Sequence, residues 1–312
     1  MPLPLAHETW FVDHPDSFPL DWSALVRPAV LVGVALAVGV AVVWRIVARR
    51  LPQPELAPLA RLGRWADWAP RLLALHLGAS LLLLTLRGSV LDPGVHVPDT
   101  ALGTALLVPQ AVAGVLLLIG RRVQLAAAAV VAAGPVLLAL EGVQALLISA
   151  VLVGIACFLL AVPPGSGHYG RTRLDHDRLR VGVLALRIGG AVTLVTLAVV
   201  EKLANPEMAG AMLAQEPVLD LLSPLGVSTD AFALVAGCVE VLFALLLLSG
   251  ALPQVVALVA AVPFTATLAV FGTTELIGHL PVYGVLLTLL LLGSRTDTSV
   301  EVSRLRGPLV DA

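Results

Sequence analysis

The stretch AFALVAGCVEVLFALLLLS, residues 231–249, contains one charged side chain, Glu240. As a helix rising 1.5 Å per residue it is about 28 Å long, close to the roughly 30 Å thickness of a bilayer's hydrocarbon core. Lipid-exposed backbone has no water to bond to, so an apolar run of this length is most stable as a helix that satisfies its own polar groups. The stretch therefore predicts a membrane-spanning helix.

Similar runs recur along the whole chain of 312 residues, which is 58% hydrophobic and 13% charged. Average soluble domains carry about 25% charged residues, and the mean hydropathy here is +0.97. We predict an all-α polytopic membrane protein of about nine transmembrane helices. The predicted spans are Leu25–Val47, Pro70–Leu86, Ala101–Ile119, Val123–Leu140, Val143–Ala161, Val181–Val200, Ala231–Ser249, Gln254–Phe271 and Leu276–Leu292.

The distribution of lysine and arginine predicts the orientation, because cytoplasmic loops are enriched in these residues. With nine spans, all of the 19 basic residues except Arg27, Arg87 and Lys202 fall on one side. We therefore expect a multi-pass protein of the cell membrane with an extracytoplasmic N-terminus and a cytoplasmic C-terminus. The first 24 residues contain no lysine or arginine, whereas a cleaved signal peptide begins with a basic region, so the first span is expected to be retained.

The eight later spans are predicted to form two tandem four-helix bundles with similar sequences. LHLGASLLLLTLRGSVLDP (75–93) matches IGGAVTLVTLAVVEKLANP (188–206), and GVQALLISAVLVG (142–154) matches GTTELIGHLPVYG (272–284). Each copy starts and ends on one side, as in a parallel repeat. The predicted divisions are an extracytoplasmic segment with the first span (1–50), a cytoplasmic interfacial linker (51–69), the first module (70–163), a basic loop (164–180), the second module (181–294) and a cytoplasmic tail (295–312).

Three further predictions concern the segments that connect the spans. Leu59, Leu62, Trp65 and Trp68 recur every three residues and indicate a short helix in the interface. Asn205 is a plausible N-cap, followed by Pro206, and an amphipathic helix with Met208, Met212 and Leu213 is expected to lie over the second bundle. The aromatic segment AHETWFVDHPDSFPLDW, residues 6–22, either anchors in the interface or docks over the bundle.

The two modules differ in their intramembrane polar residues. Glu240 matches Gln110, Glu275 matches Ala145, His279 matches Ser149, and Glu201–Lys202 matches Gly88–Ser89. Charged groups inside a membrane are costly and normally line a cavity or pair with a partner. Glu275 and His279 are spaced i, i+4 and share a helix face. We therefore predict Glu240, Glu275 and His279 as catalytic residues and Glu201, Lys202, Thr274 and Tyr283 as ligand-binding residues.

Structural roles for the same residues remain open alternatives. Glu240 could be a protonated or paired carboxyl that fixes helix packing, Glu201–Lys202 could be interfacial, and His279 could be a structural histidine. The single Glu-x-x-x-His differs from the Glu-x-x-His of di-iron bundles, so no metal site is predicted, and haem ligation by His76 and His279 is disfavoured. Cys157 and Cys238 form no C-x-x-C motif. A net charge of −2 without a basic tail gives no indication of nucleic-acid binding.

Residues 182–293 resemble the DoxX/DoxD family of small four-helix membrane proteins. The resemblance rests on LALRIGG with Arg187, VEKLANP, GCVEVLFALLLLSG and TTELIGHLPVYG; the first module looks like a degenerate copy, and HETWF resembles a prefix of larger relatives. It implies a redox-linked role, because the DoxD protein is the quinone-side subunit of a thiosulfate:quinone oxidoreductase and DoxX proteins are tied to membrane oxidoreductase complexes and thiol stress. It also adds Arg187 to the ligand-binding candidates.

The leading hypothesis is a membrane subunit that binds a quinone or similar lipophilic redox partner in the outer half of the second bundle. In it His279 bonds a carbonyl oxygen, Glu275 orients the imidazole, Glu240 relays protons and Glu201–Lys202 gates the outer end. No flavin, nucleotide or iron–sulfur motif is apparent, so a partner oxidoreductase is expected to supply electrons. The alternatives are a non-enzymatic scaffold, chaperone or carrier for lipid or small molecules, and a transporter, which broken helices at matched positions would favour.

Overall fold

A computed structural model describes residues 12, 17–97, 100–166, 170–215 and 226–303. In that part of the chain the regular structure is helical, with no strand. The α-helices are α1 Pro28–Ala48, α2 Ala69–Leu86, α3 Ala101–Ile119, α4 Val123–Ile148, α5 Ala150–Ala161, α6 His176–Leu197, α7 Pro206–Gln215, α8 Thr229–Ser249, α9 Pro253–Phe271, α10 Thr273–Gly293 and α11 Thr296–Ser303. Two 3-10 helices, Trp22–Val26 and Ala57–Trp68, precede α1 and α2, and a π-helix, Ala198–Leu203, continues α6.

Seven described helical segments are long and apolar enough to cross a membrane, and two shorter apolar segments, Gly103–Ile119 and Ala150–Ala161, complete the nine predicted positions. The prediction of an all-α polytopic membrane protein is confirmed. The first span begins at Pro28 rather than Leu25, because a 3-10 helix occupies Trp22–Val26. The backbone of α4 is non-helical at Gly142 (φ 84°), between the predicted spans 123–140 and 143–161, and the second of these spans is interrupted again at Ser149, where α5 begins.

The connections on one side of the helices are joined by polar contacts. Asp67, at the end of the 3-10 helix before α2, accepts hydrogen bonds from Arg171 (3.0 Å and 3.1 Å) and from Arg295. Glu55 accepts from the backbone N–H of Gln254 at the start of α9 (2.6 Å). These contacts gather the connections before α2, α6, α9 and α11 at one end of the bundle, which we call the arginine-rich side.

Helix α1 packs along α8, as their shared core cluster of Val30, Ala37, Leu203 and Val241 indicates. At the arginine-rich side Trp44 Nε1 donates to Ala251 O (3.0 Å) and Arg45 Nη1 donates to Ser249 O (3.2 Å). The last carbonyls of a helix have no partner within it and carry partial negative charge. These bonds from α1 therefore cap the end of α8 as well as attach α1 to it.

The four helices α2–α5 and the four helices α6, α8, α9 and α10 meet mainly along two contacts, α5 against α6 and α2 against α10, with smaller contacts of α4 with α6 and of α5 with α10. If an axis along the membrane normal relates the two groups, α2 corresponds to α6 and α5 corresponds to α10. The α5–α6 contact then corresponds to the α10–α2 contact, and both are present. The largest core cluster includes Leu73 and Leu77 of α2, Ile155 of α5, Leu186 of α6 and Leu289 of α10. The interior of the molecule is therefore shared between the two groups.

A capping arrangement recurs at two helix ends separated by 130 residues. Gly120 (φ 70°) ends α3 and Gly250 (φ 65°) ends α8, both in the left-handed conformation that glycine adopts without strain. Arg71 donates to Leu117 O (2.7 Å) and Leu118 O, and Arg187 donates to Leu247 O (3.1 Å) and Leu248 O. A Cβ at either glycine would lie within 3.1 Å of the arginine. The repeat is consistent with the predicted duplication, which remains a prediction.

Candidate functional site

The predicted residues Glu201, Lys202 and Glu240 form one ion cluster. The end of α6 widens into the π-helix Ala198–Leu203, a turn type frequent at functional sites. It carries Glu201 and Lys202, and the Lys202 Nζ lies 3.1 Å from Glu201 Oε2 and 3.0 Å from Glu240 Oε1 on α8. The Glu201 side chain is 1% exposed and the Glu240 side chain 28%. One ammonium thus faces two carboxylates with unequal access to the surroundings.

The segments around the cluster follow the sequence prediction closely. Asn205 Oδ1 accepts from the backbone N–H of Met208 (3.3 Å), so Asn205 caps α7 and Pro206 is its first residue. Met208 and Met212 are buried in a small core cluster with Val12 and Phe18. Asn205 Nδ2 donates to Phe18 O (3.2 Å). The described part of the N-terminal segment therefore docks over the helices, while HETWF lies outside the described residues.

The cluster borders a cavity of about 180 Å³ on the side opposite to the arginine-rich one. Lys202, Arg27 and Asp230 are among its lining residues, and Arg27 pairs with Asp21 at 2.8 Å. The walls come from the start of α1, the start of α8 and the turn before α7. Lys202 is thus reached from the opposite side, between the first helix and the second group.

Glu275 and His279 form the second set of predicted residues. Both lie on α10, which begins after Gly272, and Glu275 Oε1 lies 3.5 Å from His279 Nδ1. The ring of Phe264 on α9 meets the imidazole edge-to-face, with 4.6 Å between ring centroids. Glu275 is buried and His279 is 7% exposed. The imidazole therefore lies beside both the Glu275 carboxylate and the Phe264 ring.

His279 lines a central cavity of about 80 Å³ between the two groups of helices. The walls come from α2, α5 and α6 as well as from α8, α9 and α10, and nearly all are apolar side chains such as Leu84, Phe243 and Ile277. The polar side chains among its described lining residues are Asp92, Ser149, Thr193 and His279. The cavity is therefore an apolar chamber with a few polar side chains, and both groups contribute to it.

A helix break borders the same cavity. The chain leaves α4 at Ile148 and enters α5 at Ala150, and one hydroxyl from α6 serves both ends. Thr193 Oγ1 donates to Ile148 O (2.9 Å) and accepts from the backbone N–H of Val151 (2.9 Å). Non-helical backbone inside a membrane is tolerated where protein or a cavity satisfies it. The matched position His279 lies within the continuous helix α10, so the break occurs in one group only.

The remaining predicted residues lie outside both sets of contacts. Tyr283 Oη and Thr265 Oγ1 are 3.2 Å apart in an exposed position. Arg187 bonds the carbonyls at the end of α8 and Val302 O (3.3 Å), on the arginine-rich side. The side chain of Thr274 lies outside the described part of the structure. The predicted site residues therefore fall into the ion cluster, the Glu275–His279 pair and these separate positions.

Sequence reasoning missed Ser149, Thr193 and Asp92 as possible site residues. A hydroxyl or a loop carboxylate is common in membrane proteins, and its role depends on which helices meet. The match of Ser149 to His279 was the one available signal, because it pairs a first-module position with a predicted site residue. Among the described residues, no group of three or more histidine, cysteine, aspartate or glutamate side chains is placed to hold a metal ion.

In comparisons with known proteins, no family model, no curated protein and no solved structure matches the chain.

Proposed function

We propose that this multi-pass membrane protein binds a quinone or a similar lipophilic redox partner in the central cavity. The observation that carries the proposal is His279, an imidazole that lines an otherwise largely apolar cavity. Small-molecule sites are typically apolar cavities with a few well-placed polar groups. An apolar wall suits a ring and tail that partition into lipid, and the imidazole suits a carbonyl oxygen.

The Glu275–His279 pair supports a role in proton exchange with such a ligand. The Glu275 carboxylate beside Nδ1 is placed to orient the imidazole. In the imidazolium Nε2 is also a donor and can bond a carbonyl oxygen. Because reduction of a quinone to a quinol takes up two protons, a histidine backed by a carboxylate is suited to deliver one. Glu275 is then a positioning residue that acts through His279.

We assign the ion cluster to proton exchange at the opposite side. Two carboxylates share the single ammonium of Lys202, and Glu240 is the more exposed of the two. In this proposal Glu240 takes up and releases protons, while the Glu201–Lys202 pair controls entry from the cavity that Lys202 borders. Electrons come from a partner oxidoreductase that docks on the membrane protein. In this proposal the protein lies in the cell membrane with its arginine-rich side in the cytoplasm.

The test is binding of tritiated decyl-1,4-benzoquinone to the full-length protein in quinone-free lipid nanodiscs. We expect saturable binding that His279→Ala weakens about ten- to 150-fold, since a hydrogen bond to a charged group contributes about 1.5–3 kcal/mol. His76→Ala is the matched control. His76 is a half-buried histidine of α2 that bonds Leu72 O (2.8 Å) and does not line the cavity.

Lipid extracts of protein purified from its native membrane provide an independent measurement. Stoichiometric quinone in the extract supports the proposal. Absence of quinone together with absence of saturable binding in nanodiscs contradicts it, as does equal weakening by His279→Ala and His76→Ala.

The second candidate function is a non-enzymatic carrier or scaffold for lipid. The apolar walls of the central cavity, which come from both groups of helices, favour it. A phospholipid or other non-redox lipid recovered at one molecule per chain, with affinity independent of His279, would support this function instead.

A further inference from the structure

Ser149 has an unsatisfied hydroxyl at the central cavity. It is 2% exposed, it lines the cavity, and its Oγ has no hydrogen-bond partner among the described residues. A buried polar group without a partner loses its bonds to water and gains none in return. Serines inside helices usually bond a carbonyl one turn back, but here only the backbone N–H of Ser149 bonds Ala145 O (3.0 Å). The described residues therefore leave this hydroxyl without a partner, on a residue that lines the cavity.

The surrounding backbone fixes where this hydroxyl lies. The helix break at Ser149 is bridged on both sides by Thr193, which bonds Ile148 O and the N–H of Val151. Thr193 also lines the cavity, but its hydroxyl is occupied by these two bonds. Thr193 is thus a positioning residue that fixes the backbone on both sides of the break. Ser149 lies at the break, and its side chain is the one offered to the cavity.

The position of Ser149 is related to that of His279. The two are separated by 130 residues, the same offset that relates Gly120 to Gly250 in the repeated helix caps. Gln110 and Glu240, at this offset, also make corresponding contacts: Gln110 Nε2 donates to Ser89 O (2.9 Å), and Glu240 pairs with Lys202. Both residues line the central cavity, Ser149 from the first group of helices and His279 from the second.

We propose that Ser149 is the second polar contact of the central cavity and that the ligand carries two polar groups on opposite ends of a ring. His279 from α10 holds one, and the hydroxyl of Ser149 from the helix break donates to the other. A 1,4-dicarbonyl ring has this chemistry, whereas a molecule with a single polar end does not. This inference rests on the proposed function, and it gives the first group of helices a direct role in choosing the ligand.

The test compares two probes on the full-length protein in nanodiscs. The first is decyl-1,4-benzoquinone, and the second is a decyl-substituted cyclohexenone, which has one carbonyl oxygen. Ser149→Ala is expected to weaken benzoquinone binding about three- to tenfold, the effect of one neutral hydrogen bond, and to leave cyclohexenone binding within twofold. His279→Ala is expected to weaken both probes.

Ser80→Ala is the matched control, because Ser80 on α2 is also buried, has no hydrogen-bond partner among the described residues and does not line the cavity. It should leave both affinities unchanged. Benzoquinone binding that depends on His279 but not on Ser149 would overturn this inference and leave the proposed function standing. Equal loss for both probes in Ser149→Ala would overturn it too, since that result indicates a distorted cavity. Absence of benzoquinone binding in the unchanged protein refutes both proposals.

Discussion

Lys202 is the residue on which the charge balance of the buried ion cluster depends. Its Nζ is the cation between Glu201, which is almost completely buried, and Glu240, which is partly exposed. Removing one partner of a buried ion pair leaves an uncompensated charge, and the cost exceeds what the pair itself contributes. Among the described contacts, Lys202 pairs with both carboxylates, so replacing it removes both ion pairs, whereas replacing Glu240 removes one.

We predict that Lys202→Met lowers the free energy of unfolding by about 3–5 kcal/mol and that Glu240→Gln lowers it much less, because the Glu201–Lys202 contact remains. The measurement is unfolding by sodium dodecyl sulfate titrated into mixed micelles. Arg27→Met serves as the control, since the Arg27–Asp21 pair is exposed on both sides and is expected to contribute little. Similar losses for Lys202→Met and Arg27→Met would show that the cluster is not held as described.

At the scale of elements, the helices are of two kinds. Most are continuous apolar runs whose existence depends on their own composition. The α4–α5 region instead depends on a hydroxyl from another helix, because Thr193 on α6 satisfies backbone groups on both sides of Ser149. Such a break is stable only while α5 and α6 remain packed together.

We predict that Thr193→Val lowers the free energy of unfolding by about 1–3 kcal/mol, the cost of leaving buried backbone groups without partners. Thr193→Ser, which keeps the hydroxyl, is expected to retain most of the stability of the unchanged protein. Thr196→Val is the control from the same helix, since Thr196 Oγ1 bonds Val192 O (2.8 Å) within α6. Detergent-induced unfolding compares all three variants. If Thr193→Val and Thr196→Val are equally stable, the break does not depend on Thr193.

The same elements show which structural features could be predicted from the sequence and which could not. Spans were predictable because a hydrocarbon environment selects long apolar runs whatever their packing, and the cap at Asn205–Pro206 was predictable because it is local. The π-helix at Ala198–Leu203 and the break at Ser149 were not predicted, because neither has a glycine or proline signal and the break needs a partner 44 residues later. The cavity between the groups was also missed, since apolar composition does not say which helices pack together.

At the scale of the whole molecule, the distribution of basic residues predicts the orientation. Contacts among Asp67, Arg171 and Arg295 gather the loops of the arginine-rich side. Whether that side is cytoplasmic follows from the preference of basic loops for the cytoplasm. Arg87, exposed after α2, and Arg121, exposed after α3, are separated by one helix and should lie on opposite sides of the membrane.

We predict that a cysteine replacing Arg87 reacts with a membrane-impermeant maleimide in intact cells and that one replacing Arg121 reacts only after permeabilisation. The background carries Cys157→Ala and Cys238→Ala, which removes the two native thiols. Reaction of both cysteines in intact cells would contradict the membrane crossing by α3. The reverse pattern would contradict the orientation alone.

The docking of α1 onto α8 has a consequence for the order in which the chain is synthesised. Residues 49–228 separate the two helices, and at about 5–20 residues per second the ribosome needs roughly 10–40 s to make them. During that interval the surface of α1 around Gly33, which later meets Cys238, faces lipid or an insertion factor. The carbonyls that Trp44 and Arg45 bond in the folded protein are also not yet made during that interval. Helix α1 is thus made well before the helix against which it finally packs.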